Sequence, residues 1–175
     1  MNCRYLSILL AAALALALSG CASKNDGNGP AHDHDAFAEL LDEACHHMEA
    51  GPFVEVVAAA DRDDAAQAIA AAHHVHRVVL PAGDAPRTGW VVITPVVSGE
   101  VAFFLGSDVP VTVHLGEDAI ATTSGPVDAC APQVAAGSMV DLEVGTEYLL
   151  EIGPTDVEKV DIFVAEHDDH GHDHA

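Results

Sequence analysis

The chain has 175 residues, 50% of them hydrophobic, and its 28 acidic residues against 6 lysines and arginines give a formal net charge of −22. This charge repels nucleic acid and anionic lipid headgroups, which argues against both as partners, and it attracts cations. A simpler role of the acidic surface is to keep the protein soluble in salty surroundings. The residues after position 20 are enough for one domain with a single core and too few for two.

Residues 1–20 have the form of a secretion signal. Arg4 precedes an apolar run over 5–18 that is too short to span a bilayer comfortably. The run ends in the sequence LSGC at 18–21, which resembles the bacterial lipobox. The resemblance implies cleavage before Cys21, diacylation of its sulfur and acylation of the new amino terminus, and two or three acyl chains anchor a protein stably. The alternative is an ordinary secretory signal with an incidental cysteine.

Residues 21–35 form the next segment, a lipidated cysteine followed by a polar stretch rich in Gly, Asn and Asp. This composition is typical of a flexible tether that sets a domain off the membrane. The resemblance to lipoproteins implies a location in the cell envelope. Ala22 stands where lipoproteins retained at the inner membrane have aspartate, so in a host with two membranes the resemblance favours the periplasmic face of the outer membrane.

The folded domain is predicted to cover 36–165 and to begin with an amphipathic helix. Apolar residues recur at helical spacing between 36 and 50, namely Phe37, Leu40, Leu41, Ala44, Cys45 and Met48. We expect Asp35 to cap the N-terminus of this helix, and Gly51 with Pro52 to end it. At about 100° per residue, His46 projects away from the apolar stripe while Cys45 lies at its edge.

Two cysteines, Cys45 and Cys130, remain once the signal and Cys21 are set aside. In an exported protein such a pair predicts one disulfide, which here would staple the helix to the body of the fold. Closing a loop of about 86 residues would stabilise the fold by roughly 4 to 5 kcal/mol in the chain-entropy treatment. The alternative is a thiolate metal site or a nucleophile.

The rest of the domain has the pattern of a mainly β protein. Residues 53–60 suit a short first strand, and 61–72 suit either a short helix or a loop. Short β-branched segments separated by Gly, Pro, Asp and Ser then predict further strands, at 76–80, 89–97, 100–105, 110–115, 138–144, 147–152 and 157–165. Several of them alternate apolar and polar residues. The pattern predicts a single β-sandwich of jelly-roll or Greek-key type, preceded by the helix.

Part of this region, about 89–165, resembles the secreted β-sandwich modules of the bacterial pre-peptidase C-terminal type. The similarity rests on VGTEYLLEIG at 144–153, followed by a last strand, and on SDVPV at 107–111, which opens a middle strand. It implies an accessory, non-catalytic domain carried by exported proteins. The leading helix and the pair of Cys45 and Cys130 lie outside that family's usual pattern.

The 12 histidines suggest metal binding, above all in the C-terminal tail at 166–175. This segment interleaves imidazoles with carboxylates, which are ligand types for Zn, Ni or Cu ions. Its candidate ligands are His167, Asp169, His170, His172 and His174. We expect the free tail to be disordered, so that binding is weak and exchangeable, and that it weakens further as the pH falls through about 6.5. The alternative is a solvated acidic tail that binds metal only in vitro.

Two other histidine groups have less specific patterns. His74 and His76 share one face of a predicted strand, and His114 lies on the solvent face of another. A folded metal site made from these three is a second hypothesis, set against their being ordinary surface residues. His46 and His47 lie near the predicted helix C-terminus, one turn after Glu43, where we expect capping and an ion pair.

The sequence contains no G-x-S-x-G, H-E-x-x-H, Walker A or G-x-G-x-x-G motif, so we do not predict an enzyme. The prediction is an envelope lipoprotein, anchored to the membrane by lipid, that captures or buffers divalent transition metal through its tail. The alternative is a non-catalytic structural or adaptor module that binds another envelope protein, its histidines being incidental.

Replacing Cys21 tests the lipoprotein prediction. We expect C21S to lose incorporation of labelled palmitate and to leave the membrane fraction, because the acylated sulfur is gone. C3S, which alters a cysteine within the cleaved signal, should behave as the unaltered protein does. Palmitate labelling that persists in C21S would contradict the prediction.

Overall fold

The computed structural model of this protein describes residues 33–167, with side chains from residue 36. The lipobox, the tether as far as residue 32 and the tail beyond His167 lie outside the described residues. One helix, α1 (Asp33–Ala50), precedes the strands. The strands are β1 (Phe53–Val57), β2 (Ala68–Ile69), β3 (Val75–Val79), β4 (Arg87–Ile93), β5 (Gly99–Leu105), β6 (Val111–Leu115), β7 (Asp118–Ile120), β8 (Thr123–Ser124), β9 (Ala136–Leu142), β10 (Tyr148–Thr155) and β11 (Lys159–Glu166).

The strands form two mixed sheets, a six-stranded one in the order β1-β3-β11-β5-β9-β8 and a five-stranded one in the order β2-β4-β10-β6-β7. Four antiparallel pairs nest inside one another: β3 with β11, β4 with β10, β5 with β9, and β6 with β7. Successive pairs alternate between the two sheets, which is the connectivity of a jelly roll. β1 and β2 extend the sheets by parallel pairing with β3 and β4. The predicted fold class is confirmed.

The strand pattern differs from the predicted one mainly in short elements. Residues 61–72 contain a 3-10 turn at Arg62–Asp64 followed by β2, so the helix alternative for this segment is wrong. Ile69 explains the outcome, because it is fully buried between the sheets and holds the segment extended. Strands β7 and β8 span only three and two residues, too few to show an alternating pattern.

The main core lies between the two sheets. Inward side chains of both sheets pack there, including Val78, Val101, Phe103, Leu105 and Ile162 from the six-stranded sheet and Val91, Ile93, Val113, Leu150 and Ile152 from the five-stranded sheet. Each of these is at most 1% exposed. Removal of this apolar surface from water is the main force that holds the sandwich together.

A second core lies on the outer face of the six-stranded sheet, where α1 packs. The predicted apolar stripe of the helix is confirmed, since Phe37, Leu40, Leu41 and Ala44 are all buried. The Phe37 ring lies 5.3 Å from that of Phe104 on β5, centroid to centroid. A Cβ atom at Gly125 would clash with the Phe37 ring. The chain therefore needs glycine there for the helix to approach so closely.

The predicted disulfide between Cys45 and Cys130 is present, with the two Cα atoms 5.4 Å apart. It joins α1 to a 3-10 turn at Asp128–Cys130. The alternative of a free thiolate site at these cysteines is therefore wrong. All buried hydrophobic side chains among the described residues lie between Ala36 and Ala165. A protein that begins at residue 22 consequently retains the whole folded unit.

Removing the disulfide should destabilise the fold through the unfolded state. We expect C45A/C130A to lower the free energy of unfolding in urea by roughly 4 kcal/mol, because the unfolded chain regains the entropy of a long loop. The protein in a reducing agent should show the same loss. Equal stability of the oxidised protein and the double variant would contradict this.

Candidate metal site at the end of helix α1

The C-terminal turn of α1 brings Glu43 and His47 onto one face. The two residues are four positions apart, so their side chains are neighbours on the helix surface. Gly51 ends the helix with a φ of 73°, and its N–H donates to the His47 carbonyl at 2.7 Å. The predicted neighbours are adjacent, with His47 Nε2 3.8 Å from Glu43 Oε1, and they form an ion pair only when the imidazole is protonated.

A third group, His73, approaches from the loop before β3. Its Nδ1 lies 3.4 Å from the same Glu43 oxygen. One ligand atom from each of Glu43, His47 and His73 lies within 4.8 Å of the other two. We call these three residues the helix-end cluster. Among the described residues, no other group of three or more histidine, cysteine or carboxylate side chains has its ligand atoms this close together.

The ring of His47 is held from two sides. It stacks on Phe163 of β11, with 4.9 Å between centroids and an interplanar angle of 15°. Its Nδ1 lies 3.4 Å from the Gly51 carbonyl oxygen. In the tautomer that donates Nδ1–H to this carbonyl, Nε2 carries its lone pair towards Glu43. Metal-binding histidines are commonly oriented by such a bond to a carbonyl.

The spacing within the cluster suits a metal ion. Ligand atoms about 2.0–2.1 Å from a tetrahedral zinc ion lie about 3.4 Å from one another. The two contacts of the Glu43 oxygen, at 3.4 and 3.8 Å, are close to this value. The side chains of His73 and Glu43 are 90% and 41% exposed, so an ion can enter from solvent. Three protein ligands leave one position of a tetrahedron to be filled.

The structure does not bring together the three histidines of the second hypothesis. His76 on β3 is on the inward face of the six-stranded sheet, as Val78 is. His114 on β6 follows the inward-facing Val113, so its side chain is on the outer face of the five-stranded sheet. A sheet therefore separates them. His114 Nε2 instead contacts Glu151 Oε2 at 3.0 Å. A site made of His74, His76 and His114 is not supported.

His76 is a buried imidazole rather than a surface one. It is 5% exposed, and its Nε2 lies 2.9 Å from the Ala70 carbonyl oxygen. Burial lowers the pKa of His76 below its ordinary value of 6.5. The hydrogen bond to Ala70 opposes this shift, while the charge of His74, whose ring is 4.5 Å away, adds to it. His76 is therefore neutral near pH 7.

The tail begins later than predicted. The Glu166 carboxylate accepts from the N–H groups of Val96 and Val97, both at 3.1 Å, and the His167 N–H donates to the Glu100 carbonyl at 2.9 Å. Glu166 and His167, the first two residues of the predicted tail, are thus bonded to the sandwich. The other tail candidates, Asp169, His170, His172 and His174, lie outside the described residues, as does Cys21.

Two comparisons with known proteins, by family model and by curated sequence, found no match. The similarity to pre-peptidase C-terminal modules thus remains a resemblance of pattern. Among residues 33–167, no helix is both long enough and apolar enough to cross a membrane.

The lowered pKa of His76 predicts a stability that depends on pH. The unfolded chain takes up a proton at His76 near pH 6.5 and the folded chain only at lower pH, so stability present above about 6.5 is lost as the pH falls below it. We expect H76L to lose less unfolding free energy between about pH 7.5 and about pH 5.5 than the unaltered protein, in urea titrations with EDTA. Equal slopes for H76L and the unaltered protein would contradict this account.

Proposed function

We propose that this protein captures or buffers a divalent transition-metal ion such as Zn, Ni or Cu in the cell envelope, where a lipid on Cys21 anchors it. The observation that carries the proposal is the helix-end cluster, because it places two imidazoles and a carboxylate at metal-ligand spacing. The sequence 18–21 supports the location by its resemblance to a lipobox.

The charge of the chain supports the same proposal. A formal net charge of −22 raises the local concentration of cations around the domain. The ion loses water as Glu43 and the two imidazoles bind it. The histidines and aspartates at 167–174 add weaker sites that exchange metal with solvent. Capture thus combines a weakly binding tail with one ordered site.

A second candidate function is adaptor binding, and one observation favours it. Strand β1 lies at an edge of the six-stranded sheet and exposes Phe53, Val54 and Val57 by 40%, 44% and 53%. Exposed apolar edge strands accept an extended segment of another protein by strand addition. Under this alternative the histidines play no part in the protein's role. Loss of metal tolerance on altering the helix-end cluster would favour metal capture.

Calorimetric titration with zinc tests the proposal directly. The zinc affinity of the unaltered protein, residues 22–175, is compared with that of its H47A/H73A variant. H114A is the control, because it removes an imidazole outside the cluster. The double variant should bind the tightest ion at least tenfold more weakly, a loss of about 1.4 kcal/mol or more, whereas H114A should bind like the unaltered protein. A protein that ends at His167 should keep the tight site.

Two outcomes would contradict the proposal. If H47A/H73A binds zinc as tightly as the unaltered protein, the helix-end cluster is not the site. If, in addition, the protein that ends at His167 binds none, the tail alone accounts for binding.

A further inference from the structure

The helix-end cluster supplies three ligands and leaves one coordination position to be filled. We infer that His46 fills it, so that three imidazoles and one carboxylate hold the ion. This inference rests on the proposed function and concerns the same site. It makes the site a closed, four-ligand one rather than one that keeps a position open for water.

The spacing along α1 places His46 beside the cluster. His46 follows Glu43 by three residues and His47 follows it by four, so the two imidazoles flank the carboxylate on the helix surface. A Glu-x-x-His spacing is one with which a helix presents a carboxylate and an imidazole to the same metal. The segment from Glu43 to His47 therefore carries three ligand groups within little more than one turn.

The ring positions agree with this arrangement. The His46 ring lies 5.7 Å from that of His47, centroid to centroid, and the His73 ring lies 5.8 Å from that of His47. Two imidazoles bound to one tetrahedral ion have ring centres about 5 Å apart. A change of rotamer at His46 would turn its ring towards an ion held by the other two imidazoles.

His46 is free to make that rotation. It is an exposed side chain on the solvent side of α1, and its ring nitrogens lie outside the 4.8 Å set formed by the other three residues. Exposed side chains change rotamer at little cost and within nanoseconds. His74 is the neighbouring alternative, but its ring lies against that of the inward-facing His76 at 4.5 Å.

A closed site has consequences for what the protein does with the ion. Four protein ligands in a tetrahedron suit Zn²⁺ or Co²⁺ better than Cu²⁺, which prefers a square-planar or tetragonal arrangement. Structural zinc sites are closed in this way, whereas catalytic ones keep a position for water. The inferred ligand set therefore fits holding and release of a zinc-like ion rather than hydrolysis.

The test compares zinc affinity and the visible absorption of bound Co²⁺ in residues 22–175, H46A, H46Q and a protein that ends at His167. We expect both His46 variants to bind zinc at least about tenfold more weakly and to shift the visible absorption of bound cobalt, because an imidazole is lost from its ligand set. H46Q keeps a side chain of similar size, so agreement between the two variants assigns the loss to the imidazole. The shortened protein should retain both signals.

Other results would overturn the inference. Unchanged affinity and absorption in both His46 variants would show that water or the tail fills the fourth position, and loss on shortening the chain would identify the tail. H47A/H73A, measured alongside, separates the two proposals. If H47A/H73A binds zinc as tightly as the unaltered protein, the proposed function is wrong. If H47A/H73A loses tight zinc binding and the His46 variants keep it, only the role of His46 is wrong.

Discussion

The packing of α1 against the six-stranded sheet is the contact on which the candidate site depends. Cys45 lies between Glu43 and His47 on the helix, so its disulfide to Cys130 fixes the turn that carries both ligands. The apolar stripe of the helix is buried on the same sheet, and Phe163 of that sheet stacks on His47. A covalent bond, an apolar interface and a ring contact thus position one helix end.

The jelly roll contributes by presenting a loop to that helix end. Strand β3 pairs with both β1 and β11, and this pairing fixes where the chain emerges before Val75. His73, two residues earlier, is therefore held beside Glu43 although 30 positions separate them in the sequence. The ligands that come from the helix and the ligand that comes from the loop meet only because the helix and the sheet dock as one unit.

The sequence was sufficient for the features that depend on local periodicity or on cysteine number. The helical spacing from Phe37 to Met48 predicted the buried face of α1, and the pair of cysteines predicted the disulfide. The contact of His73 with Glu43 depends on how a loop packs against a helix, which no local pattern encodes. The alternation within a single strand does not predict that a sheet separates His76 from His114. Their separation depends on how the strands are ordered in the two sheets.

The most direct test of the metal site is an anomalous diffraction map, recorded at the zinc edge, from crystals of zinc-loaded residues 22–175. The account predicts a strong peak about 2.0–2.2 Å from Nε2 of His47, a ring nitrogen of His73 and a carboxylate oxygen of Glu43. Peaks confined to the tail, or beside His114, with none between these three residues would contradict it.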